Sequence, residues 1–202
     1  MTKSTPSNSD VEQLTKAAVA CNLCFETLGL SRSRVAHAQP RWIGADYWHS
    51  KPRVAFLVLN PGSGESRNDR MDVRFNRLLE EYAAGARPLE DVLAHEREDM
   101  PNWGRGRFLQ FYSSHLGLRL DRIAFVNVAW CATKNNAYPD SMLAECFARH
   151  TLPLLRILQP DLLLLSGSKT RLFRAEIAAT LPAARLESML HYAHREGAAA
   201  EA

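Results

Sequence analysis

Residues 54–66 read VAFLVLNPGSGES, and this stretch decides the fold class. Val54–Leu59 is apolar without a break, which is the pattern of a strand covered on both faces, as in a parallel sheet. The run stops at Asn60-Pro61-Gly62 and passes through small residues to Glu65. Two more such runs follow, DRIAFVNVAW ending near Cys131 and PDLLLLSG ending at Gly167, and ARLESML forms a short last strand before His191. Between them lie segments with helical spacing: FNRLLEEYAAG, SMLAECFARHTLPLLRIL and KTRLFRAEIAATL. Strands alternating with helices predict a three-layer α/β/α sandwich with a mainly parallel sheet of about four strands. Residues 1–9 are polar and read as a disordered tail, leaving 10–202 as a single domain.

Ligands of open parallel sheets bind beyond the carboxyl ends of the strands. Here those ends carry Asn60, Pro61 and Gly62, then Asn127 with Cys131, then Ser166, then His191. Each offers a polar group suited to recognition or chemistry. The connection from about Gly85 to Arg107 is long and mixed, and reads either as a functional excursion or as surface elaboration.

Composition excludes some classes. No run approaches the roughly 18 apolar residues of a membrane span, and MTKSTPSNSD is not a secretory signal, so a cytoplasmic protein without a membrane partner is expected. The net charge is +3, with arginines grouped in RGRF, LRLDR and KTRLFR; these suit an anionic partner or ordinary solvated helix faces. There is no GK[ST], so the glycine-containing loop is not a nucleotide-hydrolysing P-loop.

Cys21 and Cys24 form a CNLC pair, and Cys131 and Cys146 lie far downstream. In a reducing compartment such a set reads as metal-binding or catalytic rather than as two disulfides. The split spacing suits an iron–sulfur cluster better than a zinc ribbon, with four unrelated buried cysteines as the alternative.

In these residues the chain resembles the uracil-DNA glycosylase superfamily, most closely its iron–sulfur branch (family 4), over about residues 18–195. That branch has Cys-x-x-Cys near the N-terminus, a cysteine after a TNxVKC-like strand and another on the next helix. Cys21, Cys24, VNVAWC at Cys131 and ECFARH at Cys146 match in order and context. The resemblance implies a [4Fe–4S] cluster with a structural role. The branch's first active-site motif resembles GEAPGxxED; here Pro61, Gly62 and Glu65 match, while Leu59 and Asn60 replace its glutamate and alanine. NPG instead resembles the mismatch-specific and single-strand-selective branches, in which the asparagine positions the hydrolytic water.

By the same resemblance, Phe75 takes the place of the aromatic that stacks on a flipped base, and Asn127 that of the asparagine reading a pyrimidine edge. His191 takes the place of the histidine of the second motif, usually HPS and here HYAHR; Tyr192, His194 and Arg195 fall in the loop that wedges into the duplex. From the residues alone, Phe75 is equally a core aromatic, Asn127 a structural asparagine, Glu65 a turn cap, and His194 a surface histidine. Ser63 in the GSG segment, and Ser166 and Lys169 at a helix start, are candidate phosphate contacts.

The expected function is a monofunctional DNA glycosylase. It would hydrolyse uracil or a related modified pyrimidine from single- or double-stranded DNA as a monomer, in repair or in defence against phage with modified bases. Asn60, His191 and Glu65 are the expected catalytic residues, with Phe75, Asn127 and Gly62 on the base. The alternatives are an iron–sulfur DNA-binding protein that senses a base without excising it, and an electron-transfer protein.

Overall fold

The sheet is built by three short apolar runs and one more polar edge strand, hydrogen-bonded in parallel. In this computed structural model, which describes residues 8–62, 69–114 and 116–193, β1 is Val54–Val58, β2 Ile123–Asn127, β3 Leu162–Ser166 and β4 Arg185–Met189. Their spatial order is β2-β1-β3-β4, all parallel. The expected three-layer α/β sandwich is therefore the observed architecture. Every residue of β1 and β2 is buried, which explains why these runs lack the apolar–polar alternation of a half-exposed sheet.

Side-chain alternation sends each strand's residues to two separate cores. Ala55, Leu57, Ala124, Val126, Leu163 and Leu165 join the larger one, with helices α1 (Asn8–Val19) and α3 (Asp69–Ala83). Val54, Phe56, Val58, Ile123 and Phe125 join a smaller, aromatic one with Trp42, Met100, Trp103, Phe108 and Tyr112. By the same period, Asn127 lies on the face of Phe125, the aromatic side.

A short helix, α2 (Leu23–Leu28), carries Cys24. Helix α1 begins at Asn8, so Asn8 and Ser9 belong to a helix rather than to the expected tail. The excursion 85–107 contains α4 (Leu89–Asp99), a helix that apolar periodicity does not announce because its buried face includes His95, Glu96 and Asp99. A 3-10 turn, Met100–Asn102, and a glycine-rich loop lead to the one-turn α5 (Arg107–Leu109).

The segment expected as one helix from Ser141 is α6 (Asp140–Cys146), a π turn (Phe147–Thr151) and α7 (Leu152–Leu158). Pro153 has no N–H to give to the turn before it, and the wider turn accommodates that loss. Two short helices, α8 (Ser168–Arg171) and α9 (Arg174–Thr180), join β3 to β4. No helix among the described residues is long and apolar enough to cross a membrane.

Candidate functional site

The carboxyl ends of the strands open into a cleft of about 330 Å³. Register brings its first two asparagines together: Val58 pairs with Asn127, and the ladder continues as Val128 and Ala129 donate to the carbonyls of Val58 and Leu59. Asn60, Pro61, Gly62, Asn127 and His191 all line this cleft. Four of the residues expected at a site, from three separate strands, are thus brought together.

Asn127 is 1% exposed, and among the described residues neither its Oδ1 nor its Nδ2 has a hydrogen-bond partner. Leaving a buried amide unsatisfied costs roughly 1–3 kcal/mol for each group. The side chain borders the cleft with a donor and an acceptor both unused, the state expected of a group that a ligand completes. Asn60 donates from Nδ2 to the Tyr138 hydroxyl at 2.9 Å and to Asn136 Oδ1 at 3.3 Å. Its own carbonyl oxygen has no partner among the described residues.

His191 follows β4. Burial holds its pKa below the usual histidine value, so the ring is neutral at pH 7. Nδ1 accepts the Ala193 N–H at 3.2 Å, which places the neutral ring's proton on Nε2 and makes that atom a donor.

Phe75 is not brought to the cleft. It is 1% exposed in the larger core and stacks on His95, ring centroids 4.6 Å apart. The residue lies within α3, whose inward face packs on α4 and α1, so helical periodicity commits it to the core. The aromatics that do border the cleft are Trp103, Phe108, Phe125 and Tyr192.

Ser166, expected at a phosphate contact, is 1% exposed; its hydroxyl pairs with Tyr112 and reaches the Leu190 carbonyl at 3.3 Å. It locks β3 to the turn after β4. Lys169 pairs with Asp140 at 2.7 Å and remains half exposed. Ser63, Glu65, His194 and Arg195 lie outside the described residues.

The excursion supplies one wall of the cleft through Asn102, Trp103 and Gly104. Gly104 has φ +59°, and a Cβ there would come within 2.2 Å of the Tyr192 ring. Tyr192 also packs edge-on against Phe108 and Tyr112. Arg41 completes the wall, bonded to both carboxylate oxygens of Glu96 at 2.9 and 3.1 Å and lying 4.4 Å from the Trp103 ring centroid. Sequence reasoning passed over Arg41, Trp103, Asn136 and Tyr138. The signal within reach was Phe125, two residues before Asn127 and so on the same face of β2.

The four cysteines, from three distant segments, border a second, small cavity of about 10 Å³ with Ala38, Glu145, Arg149 and His150. Antiparallel bridges Ala38–Cys131 and Arg32–Thr133 lay the chain after the CNLC pair along the Cys131 segment. All four cysteines are free. Among the described residues no group of three or more His, Cys, Asp or Glu is gathered so as to hold a metal ion.

The donor set nonetheless suits a thiolate-ligated cluster: four sulfurs on one cavity, with the Trp130 N–H already donating to Cys146 Sγ at 3.2 Å. Burial first, then the neighbouring thiols, raises the Cys131 pKa. Burial pushes Cys146 up to about 12, and Cys24 is also raised. Cys24, Cys131 and Cys146 are therefore held as thiols when nothing cationic is bound. No protein-family model and no curated protein matches this sequence.

Proposed function

We propose that this chain is a monofunctional DNA glycosylase of the uracil-DNA glycosylase superfamily, close to its iron–sulfur branch. It acts on uracil or a related modified pyrimidine flipped out of DNA. The observation that carries this reading is Asn127, a buried amide with both polar atoms unpaired at the floor of a strand-end cleft. A pyrimidine edge supplies one acceptor and one donor, the complement of that amide.

The aromatic walls offer stacking to a base that has lost its neighbours in DNA. Breaking the N-glycosidic bond sends its electron pair onto the base, a water oxygen bonds to the sugar carbon, and the proton that water sheds passes through solvent to neutralise the departing base anion. The Nε2–H of His191 stabilises charge growing on a base carbonyl. Asn60 holds the water through its free carbonyl oxygen. An amide is a poor base, so Asn60 orients the water and does not abstract its proton. Among the described residues that border the cleft none is a carboxylate; Glu65, the expected one, lies outside them.

Cys21, Cys24, Cys131 and Cys146 would hold a [4Fe–4S] cluster, which would tie the N-terminal segment to the middle of the fold. The partner is DNA, and the role is repair or defence against phage with modified bases.

Incubation with oligonucleotides carrying uracil, hypoxanthine, mismatched thymine, or hydroxymethylated and glucosylated cytosine tests the reading. Alkali-labile abasic sites on one pyrimidine substrate are expected, with no strand cleavage before alkali. Protein that binds the oligonucleotides and excises nothing would leave the base-sensing alternative in place of the enzyme.

A further inference from the structure

The cleft and the cysteine cavity meet at one side chain. Tyr138 closes the segment that begins at Cys131. Its hydroxyl accepts the Thr133 N–H at 3.2 Å and Asn60 Nδ2 at 2.9 Å, and it donates to the Cys131 carbonyl at 3.4 Å. A phenol has one proton to give, and here that proton is directed at the backbone of Cys131.

The amide of Asn60 is oriented as a consequence. With its NH2 turned to Tyr138 and Asn136, its carbonyl oxygen is the end left over. Turning it over would set that oxygen against Asn136 Oδ1 and claim the phenol proton already engaged by Cys131. Asn135 and Asn136 adopt left-handed backbone, φ 60° and 52°, a conformation asparagine tolerates, and this turn brings Asn136 back beside Asn60.

Two of the three groups on the Tyr138 hydroxyl, the Cys131 carbonyl and the Thr133 N–H, belong to the stretch bridged to Ala38 and Arg32 in the cysteine lobe. A displacement of Cys131 moves both. We propose that Tyr138 is a positioning residue that ties Asn60 to the Cys131 segment, so that the four-cysteine lobe controls the orientation of the Asn60 amide in the cleft. The proposal rests on the glycosylase reading for what the amide does there, and not for the tie itself.

The test follows the side-chain amide of Asn60 by 15N NMR, in iron-loaded wild-type and Tyr138→Phe protein and in Cys146→Ala protein as purified, the signal being assigned by its loss in Asn60→Ala. In Tyr138→Phe the amide protons are expected to shift and to exchange with solvent about tenfold faster, as for one lost hydrogen bond. Cys146→Ala, a change with no direct bond to Tyr138, is expected to move the same signal. An amide unmoved in Tyr138→Phe overturns the tie. One that moves there but not in Cys146→Ala overturns control by the lobe.

Single-turnover excision supplies a second readout. Tyr138→Phe is expected to slow it about tenfold without weakening DNA binding, and to have no further effect in the Asn60→Ala background. Additive losses would mean that Tyr138 acts by another route. An amide that responds as expected, in a wild-type protein that excises no base, would sink the glycosylase reading and leave the tie standing.

Discussion

Asn127 and Asn60 are the same residue type at adjacent strand ends, yet they differ in how they are held. Asn60 is oriented by two neighbours, whereas Asn127 is buried with none for its side chain. A residue kept for binding should be a burden on stability. Asn127→Ala is therefore expected to leave unfolding free energy unchanged or raise it by about 1 kcal/mol, while lowering excision about 100-fold. Urea melts and single-turnover rates check the two halves. A fall of several kcal/mol would instead identify Asn127 as structural.

His191 makes a pH prediction at the same scale. Burial lowers its folded pKa, so between that value and the unfolded value of about 6.5 the unfolded chain binds more protons. Its contribution to stability is whole above about pH 6.5 and is lost as the pH falls through the lowered folded value. His191→Gln is expected to flatten this part of the acid limb of Tm against pH. An unchanged limb would show that burial does not hold the ring neutral.

Elements decide which side chains share a wall. In the sequence, helix α4 and the loop after it read only as a long mixed connection. The charged residues on the buried face of α4 are the reason: Glu96 is committed to Arg41, and Asp99 accepts the Trp103 Nε1–H at 2.9 Å. Apolar periodicity is blind to a face buried through ion pairs and hydrogen bonds.

Gly104 is where that loop meets the turn after β4. Gly104→Ala adds strain from positive φ and a collision with Tyr192, whose ring is held by Phe108 and Tyr112. The expected cost is about 1–3 kcal/mol, with a weaker grip on substrate DNA, measured by thermal melting and by titration with uncleaved oligonucleotide. Tyr192→Ala in the same background should recover part of the stability. If Gly104→Ala melts like wild type, the close approach does not define the wall.

Phe75 shows the opposite limit of sequence reading. The family resemblance puts it over a base, with a core aromatic as the equal alternative, and its position on α3 sends it into the core against His95.

At the scale of the molecule, three separate segments of the chain meet at the cysteine cavity. Cys21 and Cys24 lie near the N-terminus, and Cys131 and Cys146 about two-thirds of the way along the chain, so a bound cluster would close loops of roughly a hundred residues. Closing so long a loop is worth several kcal/mol in chain entropy. Anaerobically purified protein is expected to contain iron and sulfide and to absorb in the visible, and Cys131→Ala to lose both and to melt at markedly lower temperature. Colourless wild-type protein binding zinc alone would argue for a different metal.

The sequence by itself determined the layer architecture, because uninterrupted apolar runs separated by helical spacing leave few ways to bury both strand faces. It also determined which residues end the strands, and these ends carry Asn60, Asn127 and His191. Only the tertiary structure decided which aromatics border the cleft, that Ser166 is buried beneath Tyr112, and that Arg41 and Tyr138 stand beside the site. Strand ends are fixed by local pattern and register. Walls are made by contacts between segments far apart in the chain, whose pairing no local periodicity encodes.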